Sequence, residues 1–148
     1  KNTIPNAKDF RFGIVVSEWN ANITEGLKKG AIETLLETGV SEDNIGTWDV
    51  PGTFELPFGS KHMLQTQDVD AVIAIGSVIQ GETKHFDFVC SAVAQGIKDL
   101  NINHDTPVIF CVLTDNTLEQ AQDRSGGRHG NKGVEAAIAA IKMAALRK

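Results

Sequence analysis

The chain of 148 residues is 41% hydrophobic and has 14 lysine and arginine residues against 19 aspartate and glutamate residues, a net charge of −5. This length suits one domain with a sizeable core, and the mild acidity, without any run rich in lysine and arginine, argues against a nucleic-acid partner. No apolar segment approaches membrane-spanning length and no secretory signal pattern is seen, so we expect no membrane partner.

Cysteine and histidine usage argues against a metal site. Cys90 and Cys111 lie in apolar patterns without the spacing of metal ligands, and the four histidines are dispersed. We interpret both cysteines as buried free thiols of a reducing compartment, which predicts a cytoplasmic protein without a bound metal.

Four apolar runs are separated by segments of helical length, a pattern typical of parallel strands that alternate with helices. The runs are Phe12–Val16, Ile45–Val50, Ala71–Ile75 and Pro107–Leu113. They predict an α/β fold, a three-layer α/β/α sandwich with a four-stranded parallel sheet and right-handed crossovers. We expect one domain over residues 12–148, preceded by a polar arm, residues 1–11, that has little core of its own and is either disordered or laid on a neighbouring subunit.

The first three helices are predicted from capping signals and apolar spacing. The first is expected to begin at a capping box of Asn22 and Glu25 and to end at Gly39. Its apolar residues recur at every fourth position and are Ile23, Leu27, Ala31 and Leu35. The second helix follows the segment Val50–Pro57, and the third runs to about Leu100.

Two further helices are predicted in the last part of the chain. Thr117 and Gln120 have the capping-box spacing for a short helix that ends near Arg124. A glycine-rich break, Ser125–Gly130, separates it from a last helix that is predicted from about Asn131 to Leu146. The apolar face of this last helix is expected to consist of Val134, Ile138, Ile141 and Ala145.

Ligands of parallel sheets bind beyond the carboxyl ends of the strands. The loops predicted at that edge are Ser17–Asn22, Pro51–Glu55, Ser77–Thr83 and Thr114–Asn116. Around the third loop, Gly76 and Gly81 are expected to form a turn that leads into a helix N-terminus, where free N–H groups and the helix dipole attract phosphate.

His85 falls in the first turn of that helix. The dipole disfavours the imidazolium form there, so His85 could act as a proton acceptor beside the anion. An ordinary strand-to-helix turn with a surface histidine explains the same pattern, and this segment alone does not decide between the two.

The first two loops contain residues suited to a planar ligand with a polyol chain. Trp19 could stack on a heterocycle or cover the rim of the core. Gly52 is expected to permit backbone angles that let the amides of Thr53 and Phe54 face a ligand. Glu55 could accept hydrogen bonds from a polyol, or it could be a solvated carboxylate at a helix start.

Two cations in the last part of the chain have similar alternatives. Arg124 could bind a phosphate in bidentate fashion, or it could be a common helix-terminal cation. Lys132 could pair with Glu135 or with a ligand, or it could be exposed.

Together these residues predict one pocket with two compartments. A ring and polyol would lie over Trp19, Thr53, Phe54 and Glu55, and a phosphate would lie at Gly81, Glu82, Thr83 and Arg124, with His85 between. No Ser–His–Asp or Cys–His arrangement and no phosphate-loop or dinucleotide motif is evident. The chemistry predicted is therefore proton transfer and proximity without a covalent protein nucleophile.

A set of motifs follows in order from about Phe12 to Leu146. They are Trp19-Asn20 with Ile23-Thr24, Val50–Pro57 (VPGTFELP), Gly76–Phe86 (GSVIQGETKHF), Pro107–Thr114 (PVIFCVLT), Glu119–Ala121 with Arg124–Gly126, and Asn131–Ala137 (NKGVEAA). In this order and at this spacing, the sequence resembles the 6,7-dimethyl-8-ribityllumazine synthase family.

The resemblance implies a flavodoxin-like fold and a transferase of riboflavin biosynthesis. Members of the family condense 5-amino-6-ribitylamino-uracil with 3,4-dihydroxy-2-butanone 4-phosphate to give the lumazine, phosphate and water, with no metal or organic cofactor. They form pentamers, some of which assemble into sixty-subunit icosahedral shells, and the active site lies between neighbouring subunits. The short Gly126–Gly130 turn resembles that of the shell-forming members.

Carried over position by position, the resemblance assigns proton transfer to His85. The substrate-binding positions are Trp19, Asn20, Thr53, Phe54, Glu55, Ser77, Val78, Ile79, Phe110 and Lys132. The phosphate-binding positions are Gly81, Glu82, Thr83 and Arg124. On the family pattern, Phe110, Arg124 and Arg128 would approach the pocket of a neighbouring subunit.

Two non-catalytic alternatives fit the sequence less well. A flavodoxin-like module that binds a flavin would carry a phosphate loop rich in serine, threonine and glycine after the first strand, whereas this loop offers Glu18 and Trp19. An inactive, shell-forming homologue would be expected to lack His85 or Arg124, and both are present.

Overall fold

A four-stranded parallel sheet forms the centre of the molecule. The computed structural model describes residues 3–127 and 130–148, so Arg128, expected near a neighbouring pocket, lies outside the described residues. The strands are β1 (Phe12–Ser17), β2 (Ile45–Val50), β3 (Ala71–Ile79) and β4 (Val108–Asp115). Their spatial order is β2-β1-β3-β4, and each neighbouring pair is parallel.

Helices cover both faces of this sheet. They are α1 (Ala21–Glu37), α2 (Leu56–Thr66), α3 (His85–Asn103), α4 (Leu118–Arg124) and α5 (Lys132–Arg147). One apolar cluster joins the sheet to α1, α4 and α5, and a second joins it to α2 and α3. The predicted three-layer α/β/α sandwich is therefore confirmed. None of the helices in the described part of the chain is long and apolar enough to cross a bilayer.

The central strand β3 explains why its sequence is apolar without interruption. Ala71, Ile73 and Ile75 belong to the cluster under α1 and α5, whereas Val72 and Ala74 belong to the cluster under α2 and α3. Successive side chains of a strand point to opposite faces, so a strand covered on both sides needs apolar residues at every position.

Strand β3 continues through Gly76, which is not the predicted turn residue. Gly76 pairs with Val112 of β4. A Cβ at Gly76 would lie 2.9 Å from Leu56 Cδ1 and from Thr53 Oγ1. Glycine is needed here because the segment that begins α2 approaches the sheet closely. Strand β4 likewise includes Thr114 and Asp115, which were predicted to form a turn.

The start of α1 differs from its prediction, whereas its end agrees. Helix α1 begins before the expected capping box of Asn22 and Glu25, and its N-cap is Asn20. At the other end Gly39 has φ of 99°, and its N–H donates to Leu36. This is the left-handed glycine that commonly ends helices.

Helix α5 buries a different face from the predicted one. Of the expected residues Val134, Ile138, Ile141 and Ala145, only Ile141 is fully buried. The buried face consists of Gly133, Ala136, Ala137, Ala140, Ile141 and Ala144. Small residues lie there because α5 packs on both the sheet and α1, so two neighbours approach its backbone instead of one.

The contact between α1 and α5 is close at its start. Asn131 donates a hydrogen bond of 2.9 Å to the carbonyl of Gly26 and accepts one of 2.7 Å from the N–H of Gly133. A Cβ added to Gly133 would collide with the carbonyl oxygen of Leu27. Between α4 and α5, the predicted glycine-rich break contains a short antiparallel pair, Ser125–Gly127 with Gly130–Asn131.

The arm before β1 contributes to the core, contrary to expectation. Ala7 is fully buried in the α1–α5 cluster, and Phe10 packs against that cluster. The N–H of Arg11 donates to Asp70 Oδ2 at 2.8 Å, and Arg147 Nη1 contacts Asp70 Oδ1 at 3.2 Å. Asp70, immediately before β3, therefore links the arm to the end of α5.

Candidate active site

A cavity of about 630 Å³ opens where β1, β2 and β3 reach their carboxyl ends. Its lining comes from the loops after the first two strands, from the end of β3 and from the start of α3. The lining residues are Trp19, Asn20, Pro51, Gly52, Thr53, Phe54, Glu55, Ser77, Val78, Ile79, His85, Phe88 and Val89. Three of the four loops predicted at this edge therefore meet at one cavity.

Trp19 presents its ring at the mouth of this cavity. The N–H of Glu18 donates to Val50 and that of Trp19 to Pro51, so the loop continues the pairing of β1 with β2. The Trp19 side chain is 70% exposed. A tryptophan this exposed does not cover the core rim, which favours the interpretation as a stacking surface.

Asn20 fixes the direction in which the chain leaves Trp19. Its backbone is left-handed, with φ of 59° and ψ of 49°. Its Nδ2 donates a hydrogen bond of 2.9 Å to the carbonyl of Ser77 at the end of β3. The loop after β1 is thus held against the strand beside it.

The second loop forms a single 3₁₀ turn, Thr53–Glu55, directly before α2. Thr53 is buried, with Oγ1 3.5 Å from the Ser77 carbonyl, whereas Phe54 is exposed toward the cavity. Gly52 has φ of −143° and ψ of 175°, an extended conformation open to any residue, so the predicted need for unusual backbone angles is wrong. A Cβ at Gly52 would lie 3.1 Å from Glu55 Oε1, a close contact that a small shift of the Glu55 side chain would relieve.

His85 lies in the first turn of α3, as predicted, and is its first residue; its side chain is exposed at the cavity. Its N–H donates to Thr83 Oγ1 at 3.2 Å, which joins the preceding loop to the helix start. Gly81, Glu82 and Thr83 are exposed and lie outside the cavity lining. Because His85 begins α3, the positive end of this helix dipole lies beside it at the carboxyl edge of the sheet.

A second cavity, of about 430 Å³, lies between β4 and α5. Phe110, Arg124 and Lys132 line it, together with Glu135. Within one chain, Arg124 and His85 therefore line separate cavities, and their meeting in one pocket, which the family pattern places between neighbouring subunits, stays a prediction. Arg124 follows the edge strand β4 and ends α4 on the α1–α5 side of the sheet, whereas the cavity at His85 lies beside α3.

Each cation of the second cavity has a carboxylate partner. Arg124 Nη1 lies 2.7 Å from Asp115 Oδ1, and Lys132 Nζ lies 3.2 Å from Glu135 Oε1. The second pair was one of the alternatives predicted for Lys132. Asp115 was not identified from the sequence as a site residue, because it was assigned to a turn where aspartate is common.

The two cysteines differ in burial. Cys111 is buried beside the second cavity, and burial raises the pKa of its thiol to about 12, with Lys132 acting to lower it and Glu135 to raise it. Cys90 is only partly buried, so the prediction of two buried thiols is wrong for it. Desolvation, and then the charge of Asp87, raise the pKa of Cys90.

A model of one protein family, described as 6,7-dimethyl-8-ribityllumazine synthase, matches residues 9–148. The chain belongs to this family. The resemblance seen in the sequence motifs is thereby confirmed, and lumazine synthases have the α/β sandwich found here.

Individual lumazine synthases are similar to the chain over almost its entire length. The 6,7-dimethyl-8-ribityllumazine synthase of Flavobacterium johnsoniae is 72% identical over 148 residues, covering 100% of this chain and 78% of the relative. That of Christiangramia forsetii is 69% identical, covering 100% and 89%. That of Porphyromonas gingivalis is 58% identical, covering 99% and 91%.

The residues that the lumazine synthase resemblance assigned to ligands fall into three groups. The first cavity contains Trp19, Asn20, Thr53, Phe54, Glu55, Ser77, Val78, Ile79 and His85. The second contains Phe110, Arg124 and Lys132, and Gly81, Glu82 and Thr83 line neither. Phe88 and Val89 also line the first cavity and were not predicted. Their helical spacing from His85 was a signal that could have found them.

Proposed function

We propose that the protein condenses 5-amino-6-(D-ribitylamino)uracil with 3,4-dihydroxy-2-butanone 4-phosphate to give 6,7-dimethyl-8-ribityllumazine, phosphate and water. It is a lumazine synthase family member and an enzyme of the transferase class in riboflavin biosynthesis. The observation that carries the proposal is the first cavity, in which an exposed Trp19 ring and the turn Thr53–Glu55 meet the start of α3 at His85. Residues 12–148 would form the catalytic domain.

The first cavity suits the ribitylaminouracil. Trp19 and Phe54 offer aromatic surface to a planar pyrimidine. The Glu55 carboxylate at the start of α2 can accept hydrogen bonds from ribityl hydroxyls. Asn20 and the end of β3 would close the remaining side of the ring site.

We propose that the phosphate is bound by Gly81, Glu82 and Thr83 of one subunit and by Arg124 of its neighbour, which also supplies Phe110 and Lys132 to the substrate site. Phe110, Arg124 and Lys132 open to a cavity separate from that of His85, so a site that uses both sets needs two chains. Large apolar side chains are exposed on the α2–α3 side, namely Phe58, Phe88, Ile102 and Phe110. Such surface is typical of subunit contacts and supports an oligomer. The pentamer, and its assembly into a sixty-subunit shell, are proposed on the family pattern.

The chemistry follows from bringing the two substrates together. The amine of the uracil attacks the ketone and loses water to form an imine, phosphate then leaves, and ring closure with loss of a second water gives the lumazine. His85 would move protons in these steps, and Arg124 would bind the phosphate before and as it leaves. Orientation of two reactants supplies much of the rate, which fits a site without a covalent nucleophile.

The direct test mixes purified protein with both substrates and follows lumazine fluorescence against the uncatalysed background. A protein-dependent rate is expected. No acceleration, together with tight binding of a flavin or lumazine, would support the non-catalytic alternative instead. We further propose a cytoplasmic location, since Cys90 and Cys111 are free thiols.

A mixing experiment tests the shared site. One chain carries Trp19→Ala and His85→Ala, and the other carries Arg124→Ala; each alone should be nearly inactive. Co-expressed in equal amounts, about one quarter of neighbour pairs would combine an intact His85 side with an intact Arg124 side and regain activity. No regain, in oligomers shown by mass spectrometry to be mixed, would contradict a site formed by two subunits.

A further inference from the structure

A buried carboxylate lies directly behind Arg124. Asp115 is the last residue of β4, and its side chain is 3% exposed. Its Oδ1 accepts the 2.7 Å hydrogen bond from Arg124 Nη1, whereas its Oδ2 has no hydrogen-bond partner among the described residues. A carboxylate that is buried with one partner is costly to keep, so its presence requires an explanation beyond stability.

The Arg124 guanidinium is held at one end and open at the other. Its side chain is 40% exposed and lines the second cavity. A guanidinium carries five N–H donors in a rigid plane. With Nη1 anchored on Asp115, one end of the guanidinium is held in place while its other donors can face a phosphate. The rotamer freedom of the arginine is then lost on folding and not on binding.

The chain between the two residues is itself fixed. Thr117 and Gln120 form a complete capping box at the start of α4. Gln120 Oε1 also accepts a hydrogen bond of 2.8 Å from the N–H of Asn116, the residue after Asp115. The short, capped helix therefore fixes the backbone position of Arg124, and Asp115 holds its guanidinium.

The other pair of the second cavity lacks these features. Lys132 is about as exposed as Arg124, at 41%, but its partner Glu135 is 64% exposed, whereas Asp115 is 3% exposed. An exposed ion pair is weak and easily exchanged for a ligand contact. Of the two described pairs in this cavity, Asp115–Arg124 is the one that combines a buried acceptor with a partly exposed donor group.

We propose that Asp115 is a positioning residue for the condensation: it holds the Arg124 guanidinium in place to bind the phosphate of the butanone phosphate. This inference rests on the proposed function. Asp115 touches no substrate and acts through Arg124.

Asp115→Asn tests the proposal, since it keeps the shape and one acceptor oxygen but removes the charge that holds the guanidinium. The KM for the butanone phosphate should rise roughly tenfold, with the KM for the ribitylaminouracil unchanged. In an Arg124→Ala background the same substitution should have no further effect. Should Asp115→Asn not fold, Asp115→Ala, which removes the buried acceptor, supplies the same comparisons.

Asp70→Asn is the matched control, because Asp70 also pairs with an arginine, Arg147, at 3.2 Å. Asp70 directly precedes β3, so this pair lies at the amino ends of the strands and not at the carboxyl ends. The control substitution should leave both KM values unchanged. If Asp115→Asn raised both KM values together, or acted equally with and without Arg124, its role would be structural and the inference overturned, with the synthase activity still standing. If the unaltered protein formed no lumazine, the proposed function would fall and the inference with it.

Discussion

The side chain of Asn20 donates a hydrogen bond of 2.9 Å to the backbone carbonyl of Ser77 while its own backbone is left-handed. One residue thus joins the start of α1 to the end of β3 and turns the chain directly after Trp19. Asparagine enters the left-handed region more readily than most residues, and its amide reaches a carbonyl that glycine cannot reach.

Two substitutions separate the backbone and side-chain contributions of Asn20. Asn20→Gly keeps the conformation accessible but removes the hydrogen bond, and it should lower the free energy of unfolding by about 1 kcal/mol. Asn20→Ala adds the strain of a left-handed alanine, a further loss of about 1 kcal/mol. Urea unfolding measures both, and equal losses would show that the backbone conformation has no cost.

His85→Ala should reduce kcat by about a hundredfold but leave a rate above the uncatalysed background, since general acid–base catalysis is one contribution among several. Arg124→Ala should be more damaging, because the phosphate loses its charged partner. Steady-state lumazine formation measures both. His62→Ala is the control, since His62 stacks on Phe58 of α2 away from the cavity. Complete loss in His85→Ala with substrate binding intact would contradict this view.

Asp70→Ala should destabilise the fold by about 1–2 kcal/mol, because it removes the acceptor for the Arg11 N–H and the partner of the Arg147 side chain. Thermal and urea unfolding measure the loss. Asp99→Ala is the comparison, since it breaks the exposed Lys98–Asp99 pair of 2.8 Å and should have almost no effect. Similar losses in the two variants would mean that Asp70 is no more than a surface charge.

Cys111 should be unreactive toward thiol reagents in the native protein at pH 8, because burial raises the pKa of its thiol to about 12. Its raised folded pKa has a consequence for stability. Between the ordinary thiol pKa of 9.0 and the folded pKa of about 12, the thiol ionises in the unfolded chain only, so stability is lost as pH rises through this window. Urea unfolding at pH 7 and pH 10 should show that the free energy of unfolding falls less in Cys111→Ala than in the unaltered protein. Labelling followed by mass spectrometry measures the reactivity of the thiol. Equal losses would contradict the shift.

Much of the layer order was predictable from the sequence, since it depends on local periodicity. The four-residue repeat of Ile23, Leu27, Ala31 and Leu35 is buried throughout, and the apolar runs became the strands. The start of α1 was not predictable in this way. A capping-box spacing at Asn22 occurs by chance within helices, and the left-handed Asn20 depends on a carbonyl 57 residues away.

The site was predictable in composition but not in arrangement. The loops after parallel strands pointed to Trp19, Glu55 and His85, which share one cavity. The family resemblance implied that Arg124 approaches a neighbouring subunit's pocket, but the patterns of strands and helices did not separate Arg124 from these residues, because its place depends on the side of the sheet on which α4 lies. Asp115 was not predicted because β4 continues two residues beyond its apolar run, and no pattern marks a strand residue whose partner is the last residue of the next helix.

Gly133 restricts what variation the second cavity can tolerate. A methyl group there would meet the main chain of Leu27, which no change of rotamer can move aside. The first turn of α5, with Lys132 and Glu135, would have to lift away from α1 to accept it. The shape of the second cavity therefore depends on a residue that has no side chain and lines neither cavity.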